Sequence, residues 1–146
     1  MTDDIKKLRE TTGAGVMECK RALDDAKGDF DKAISLINER GLVKAETKAG
    51  RTAGAGLLKS YVHNNRVGVL LQIHAETDFV LRSEVFQELA HDVAMHIAAM
   101  KPETPEALVA QPFVKNESIT VGDLIKSVTA KVGEKIQVER FCRYEI

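Results

Sequence analysis

Tryptophan is absent from this 146-residue chain, tyrosine occurs twice and phenylalanine five times. So thin a supply of rings disfavours the base-stacking platforms of single-strand nucleic-acid binders. Cysteine is almost as scarce, with Cys19 and Cys142 lying nearly the whole chain apart. A disulfide scaffold or a zinc site would need more thiols or a nearby Cys/His cluster. Neither sign of charge is in excess, since 21 Lys and Arg face 22 Asp and Glu for a formal charge of −1. Counterion-release binding to nucleic acid requires a concentrated basic face, and this chain offers no global one. Long hydrophobic runs are missing too. The most apolar stretch, Val67 to Ile73, is strand-sized and far short of the roughly 20 residues that span a bilayer. The start, Met1-Thr2-Asp3-Asp4, is acidic where a targeting peptide would be basic. What is present, 44% hydrophobic and 29% charged residues, is ordinary for a globular protein. The expectation is a cytoplasmic protein of a reducing compartment, with neither nucleic acid nor membrane as partner.

The chain opens on three short helical patterns. Ile5 and Leu8 sit one turn apart in a segment that Asp3 or Asp4 is placed to cap, and the glycines of Gly13-Ala14-Gly15 allow a sharp reversal after it. Val16, Cys19, Ala22, Leu23 and Ala26 share the face of a second helix, with Gly28 as its C′ residue. Asp29 is placed to cap a third, in which Phe30, Ala33, Ile34 and Ile37 share a face, and Gly41 is expected to end it. A bundle of about forty residues is marginal alone, which suggests that it docks onto a partner. Residues 44–56 hold no large apolar side chain and read as a linker between a domain over 1–43 and another over 57–146.

Beyond the linker the period becomes extended. Residues 57–63 and 66–75 form a hairpin about Asn64-Asn65, the second strand apolar enough to be central. Ser83 is placed to cap a long helix with a stripe of Phe86, Leu89, Val93, Ile97 and Met100, ended by Pro102 and Pro105. Residues 111–118 read as irregular. Thr120 and Asp123 make a capping-box start for a helix with Val121, Leu124, Ile125, Val128 and Val132 on its buried stripe. Gly133 ends it, and a last strand over 136–146 slips its alternation at Arg140-Phe141, where a bulge is expected. The predicted fold class is α+β: a three-helix bundle followed by a ββααβ core, with helices packed on a small antiparallel sheet.

Reactive residues are few and scattered. His91 and His96 are five apart on a helix, the wrong step for one face, so His63, His74, His91 and His96 are expected as surface or partly buried side chains. Cys19 lies on an apolar helix face and reads as core, and Cys142 has no assigned base beside it. Gly13-Ala14-Gly15 lacks the strand and the following Lys or Ser/Thr of a nucleotide cradle. Glu76 and Asp78 would mimic the carboxylate pair of a small hydrolase only beside a cleft that nothing else in the sequence suggests. No catalytic residue, cofactor or metal ligand is assigned. One feature is unusual: Thr77-Asp78-Phe79-Val80 sets a large apolar residue beside an acid between a strand and a helix. Two readings stand open. Phe79 tucks inward while Asp78 caps the turn, or Phe79 protrudes as an anchor for a partner's pocket, with Asp78 adding a charge at a polar or metal site there.

Three stretches match a known family. The run Leu8-Arg9-Glu10-Thr11-Thr12-Gly13-Ala14-Gly15-Val16-Met17-Glu18-Cys19-Lys20-Arg21-Ala22-Leu23 resembles the N-terminal signature of elongation factor Ts. Glu76-Thr77-Asp78-Phe79-Val80 resembles its second signature, and residues 131–145 are similar to its C-terminal strand, with Lys135 where Asn is more usual. The resemblance implies a guanine-nucleotide exchange factor for the GTPase elongation factor Tu, with no catalytic site of its own. It implies a ubiquitin-associated-like N-terminal bundle whose Arg9, Val16 and Met17 touch the GTPase. It also implies that Thr77, Asp78, Phe79 and Val80 enter beside the partner's Mg²⁺ and phosphate site, and that Val132 and Gly133 make a further contact. Between Met100 and Gln111 most members are longer, and short members pair two copies, so a homodimer is a further expectation. The last strand would be an edge in a monomer, and Cys142 lies on it. The alternative function is a shortened, non-exchanging module that only docks elongation factor Tu.

Overall fold

Helix-forming residues with Gly- and Asp-rich junctions open the chain in the computed structural model, which describes residues 2–146 and, at position 46, the backbone alone. Helices α1 (Thr2–Thr12), α2 (Val16–Asp25) and α3 (Phe30–Thr47) close over Leu8, Cys19, Ala22, Leu23, Ala26, Ala33 and Ile37. Asp3 and Asp4 lie inside the first turn of α1 rather than at its cap, where they still oppose the positive helix end. At the end of α2 the left-handed C′ residue is Lys27 (φ 54°), and Gly28 follows one place later. The N–H groups of Lys27 and Gly28 donate to Asp24 O and Leu23 O at 3.1 and 2.9 Å, the paired bonds of a Schellman ending. Asp29 caps α3 as expected, accepting from the Lys32 N–H at 3.1 Å.

Gly41 does not end α3. The helix runs on to Thr47 and takes the first four residues of the expected linker with it. The glycine serves close approach instead: a Cβ there would lie 3.3 Å from Ala130 Cβ on the helix it packs against.

The second part comprises β1 (Ala55–His63), β2 (Val67–Ala75), α4 (Asp78–Leu81), α5 (Glu84–Met100), α6 (Pro105–Ala110), β3 (Pro112–Phe113), β4 (Asn116–Thr120), α7 (Val121–Val132) and β5 (Gln137–Glu145). Asn64 and Asn65, both at positive φ, form the hairpin turn within a three-residue connection between the paired His63 and Val67, closed by the Arg66 N–H donating to His63 O at 3.0 Å. Strand order is β1-β2-β5, antiparallel throughout, with β2 central and β1 and β5 as edges. The bulge falls one residue earlier than expected, because Gln72 faces Arg140 while Ile73 faces Val138, leaving Glu139 unmatched.

Val69, Leu71, Ile73 and Ala75 point to the inner face and pack with Phe86, Leu89, Val93 and Ile97 of α5. Met100 leaves that stripe and is exposed. The ββααβ pattern therefore holds with additions. The segment after Met100 contains α6, capped by Thr104, which accepts from the Ala107 N–H at 3.0 Å. Residues 111–118 are not irregular but carry β3 and most of β4, which pair as a small second sheet. The cause is tertiary. His96, expected at the surface or partly buried, is fully buried; its Nδ1 accepts from the Val114 N–H at 3.1 Å, and its Nε2 bonds Gln111 Oε1 at 2.8 Å. The capping box of Thr120 and Asp123 is formed as read. Finally α3 packs along α7, so the bundle is seated on the core.

Candidate functional site

Strand β2 delivers Glu76 and Thr77 to the edge of the core, where the chain turns into α4. Thr77, not Asp78, caps this turn: its Oγ1 accepts from the Val80 N–H at 3.4 Å. Val80 and Leu81 are buried beneath it. Phe79 points the other way and is 79% exposed. Of the two open readings, the inward-tucked ring is overturned. Leaving a phenylalanine in water forgoes about 1.5–3 kcal/mol of burial, so this position is not explained by the stability of the fold. Asp78 is exposed beside it.

The turn is braced from a distance. Glu134 Oε1 accepts from the Thr77 N–H at 2.9 Å, and its Oε2 accepts from the Thr77 hydroxyl at 2.8 Å. Reciprocally, Glu76 Oε2 accepts from the Lys135 N–H at 3.0 Å. Arg51, arriving from the segment after α3, lies 3.5 Å from both Glu76 Oε2 and Gly133 O. Glu76 is thereby engaged in holding two segments together, which gives it a different task from the hydrolytic pairing with Asp78.

Gly133 ends α7 in the left-handed region at φ 76°, and Val132 before it is half-buried. The brace thus brings Thr77–Val80 and Val132–Gly133, two sets of residues singled out in the sequence, onto one joined surface. The third set is nearby on another element. Val16 and Met17 are the first two residues of α2, 48% and 59% exposed. The α1–α2 turn meets the same end of α7, since a Cβ on Gly13 would stand 3.4 Å from Lys131 Cε. Arg9 is exposed one turn back on α1, and no contact brings it to the braced group.

Sequence reading missed Glu134 and Arg51. Glu134 is 57 residues from its partner, and no periodicity reports such a pairing. The remaining histidines also find fold-level partners. His74 Nδ1 donates to Ala53 O at 3.0 Å, and Tyr61 stacks on His63 and meets His91 edge-on. Burial pushes the Cys19 thiol up, away from the reactive thiolate. Among the described residues no group of three or more His, Cys, Asp or Glu side chains is placed to hold a metal ion. No helix there is long and apolar enough to cross a membrane.

Comparison with known proteins agrees with the signatures. A family model described as "Elongation factor TS" matches residues 5–107. The elongation factor Ts of Fervidobacterium nodosum is 40% identical over 188 aligned residues, covering 97% of this chain and 95% of that protein. Those of Thermotoga maritima and Alkaliphilus oremlandii are 39% and 37% identical, covering 99% and 97% of this chain and 94% and 87% of their own lengths. An alignment of 188 positions cannot be filled by 146 residues, so these relatives carry, inside the aligned span, residues that this chain lacks. With family match and relatives covering nearly the whole chain, this protein belongs to the elongation factor Ts family of translation elongation factors.

Proposed function

We propose that this protein is a guanine-nucleotide exchange factor that binds GDP-loaded elongation factor Tu in the cytoplasm, disturbs its Mg²⁺ and phosphate site and so releases the nucleotide. The observation that carries this reading is Phe79, exposed on a turn whose backbone is fixed by Glu134. A Mg²⁺ ion tolerates little departure from octahedral coordination. An aromatic ring inserted between elements of the GTPase, with Asp78 beside it, moves the groups on which that coordination depends.

Exchange of this kind needs no reacting group on the factor. It needs tighter binding to the nucleotide-free GTPase than to the loaded one, and reciprocity makes returning GTP expel the factor. Reversing occupancy from one-sided to opposite takes about 5.5 kcal/mol of differential affinity, more than one buried phenylalanine supplies. Contacts by Arg9, Val16 and Met17 and by Val132 and Gly133 make up the difference. The test is release of labelled GDP from elongation factor Tu by stopped flow. Phe79→Ala is expected to slow stimulated release at least tenfold; unchanged release would leave only the docking role.

The same reading includes pairing of two copies. Leu58, Val62, Leu70 and Tyr144 are exposed on the outer face of the three-stranded sheet, together with Cys142. Such a face on a small sheet is the kind that a second sheet covers.

A further inference from the structure

Strands β2 and β5 separate beyond their last ladder pair, His74 and Gln137. Past that point two carboxylates replace the backbone ladder. Glu134 takes both donors of Thr77, and Glu76 takes the N–H of Lys135. The exchange is reciprocal and joins the segment that presents Phe79 to the one that follows Gly133.

We propose that Glu134 is a positioning residue for nucleotide exchange, setting the direction in which α4 presents Phe79 and fixing it relative to the end of α7. This rests on the reading of Phe79 as the working side chain. Helix α4 has only four residues, too few to hold its own geometry. Its buried anchors, Val80 and Leu81, contribute apolar contact that is not directional. Hydrogen bonds to a charged acceptor are both directional and stronger than neutral ones. The Thr77 hydroxyl has one proton. While Glu134 accepts it, the lone pairs of Oγ1 stay turned toward the Val80 N–H; without Glu134 the hydroxyl rotates freely and the Thr77 N–H loses its partner. Arg51 closes the same corner from the bundle side, reaching Glu76 and Gly133 O. The contact surface is therefore held as one body at a point where the sheet no longer holds it.

The experiment measures labelled-GDP release from elongation factor Tu across a range of factor concentrations, giving a maximal rate and a half-saturating concentration. The proteins are the unmodified chain, Phe79→Ala, Glu134→Ala, Glu134→Gln and the two double variants. Glu134→Ala is expected to lower the maximal rate by roughly tenfold to a hundredfold, with half-saturation shifted no more than about threefold. Glu134→Gln keeps an acceptor for the Thr77 N–H and falls in between. In the Phe79→Ala background either change at Glu134 has no further effect, since it acts through that ring.

Slow release by Phe79→Ala with normal release by Glu134→Ala overturns the role of Glu134 and leaves Phe79 standing. Normal release by Phe79→Ala overturns both. A full effect of Glu134→Ala in the Phe79→Ala background places its action elsewhere and overturns the proposal. If circular dichroism shows Glu134→Ala unfolded, the Glu134→Gln cycle decides on the same terms, with a partial loss expected only when Phe79 is present.

Discussion

Phe79 and His96 stand at opposite ends of exposure, and each is poorly explained by hydropathy alone. A ring left 79% exposed contributes little to the fold, so Phe79→Ala is expected to shift the urea unfolding free energy by no more than about 0.5 kcal/mol. A slower GDP release by that variant would then report binding geometry and not stability; a larger shift in urea titration would contradict this. His96 is the converse case. Burial holds its imidazole below the ordinary value, opposed by the hydrogen bond to Gln111. Its Nδ1 is occupied as an acceptor of the Val114 N–H, which requires that nitrogen to be unprotonated. As pH falls below about 6.5 the unfolded chain takes up this proton first, so stability present above that pH is lost as pH falls toward the folded-state value. Below that value both states are protonated and the dependence from this group ends. The urea midpoint should therefore fall between pH 7.5 and 5.5 by more in the unmodified protein than in His96→Gln. Equal slopes would remove His96 from the acid response.

The elements legible in the sequence were those whose cause is local. The Asn64-Asn65 hairpin, the caps at Asp29 and Ser83 and the Thr120–Asp123 box all form as read, because each is specified within four residues. Elements fixed by a distant neighbour were not legible. Gly41 resembles a helix stop, yet it sits where α3 crosses Ala130, and the turn between β3 and β4 is tied to a histidine of α5. The candidate site divides the same way: the exposure of Val16 and Met17 and the cap of the Thr77–Val80 turn have local causes, whereas Glu134 and Arg51 act over long sequence separations. Gly122, in the first turn of α7, shows how a distant neighbour can outweigh local preference. Helix propensity alone would favour Gly122→Ala by about 1 kcal/mol. A Cβ there, however, would lie 2.9 Å from Val109 O, a backbone atom of α6 that cannot rotate away. The clash should win, with net destabilisation of about 1–3 kcal/mol. Thermal unfolding followed by circular dichroism decides the sign, and a raised midpoint would show that α6 yields.

At the scale of the molecule, the three-stranded sheet is covered on one face by α5 and carries exposed apolar residues on the other. Leu70 faces Ser60 on one side and Cys142 on the other in the ladder, so it lies at the centre of the uncovered face. The relatives carry additional residues inside the aligned span, and this chain keeps exposed Leu58, Val62 and Tyr144 around Leu70 without them. Water contact over such an area is unfavourable by about 25 cal/mol for each Å² of apolar surface, and two copies stacked face to face remove it from both at once. Isologous pairing of this kind also places the Cys142 residues of the two chains on the same covered face. Light scattering at micromolar concentration is expected to give about twice the chain mass of 16.1 kDa. Leu70→Lys sets a charge at the centre of the contact, where desolvating it is costly, while the inner core packed by Val69 and Leu71 is untouched. That variant should scatter as a single chain with unchanged circular dichroism. A monomeric unmodified protein, or a Leu70→Lys variant that stays paired, would rule out this face as the interface.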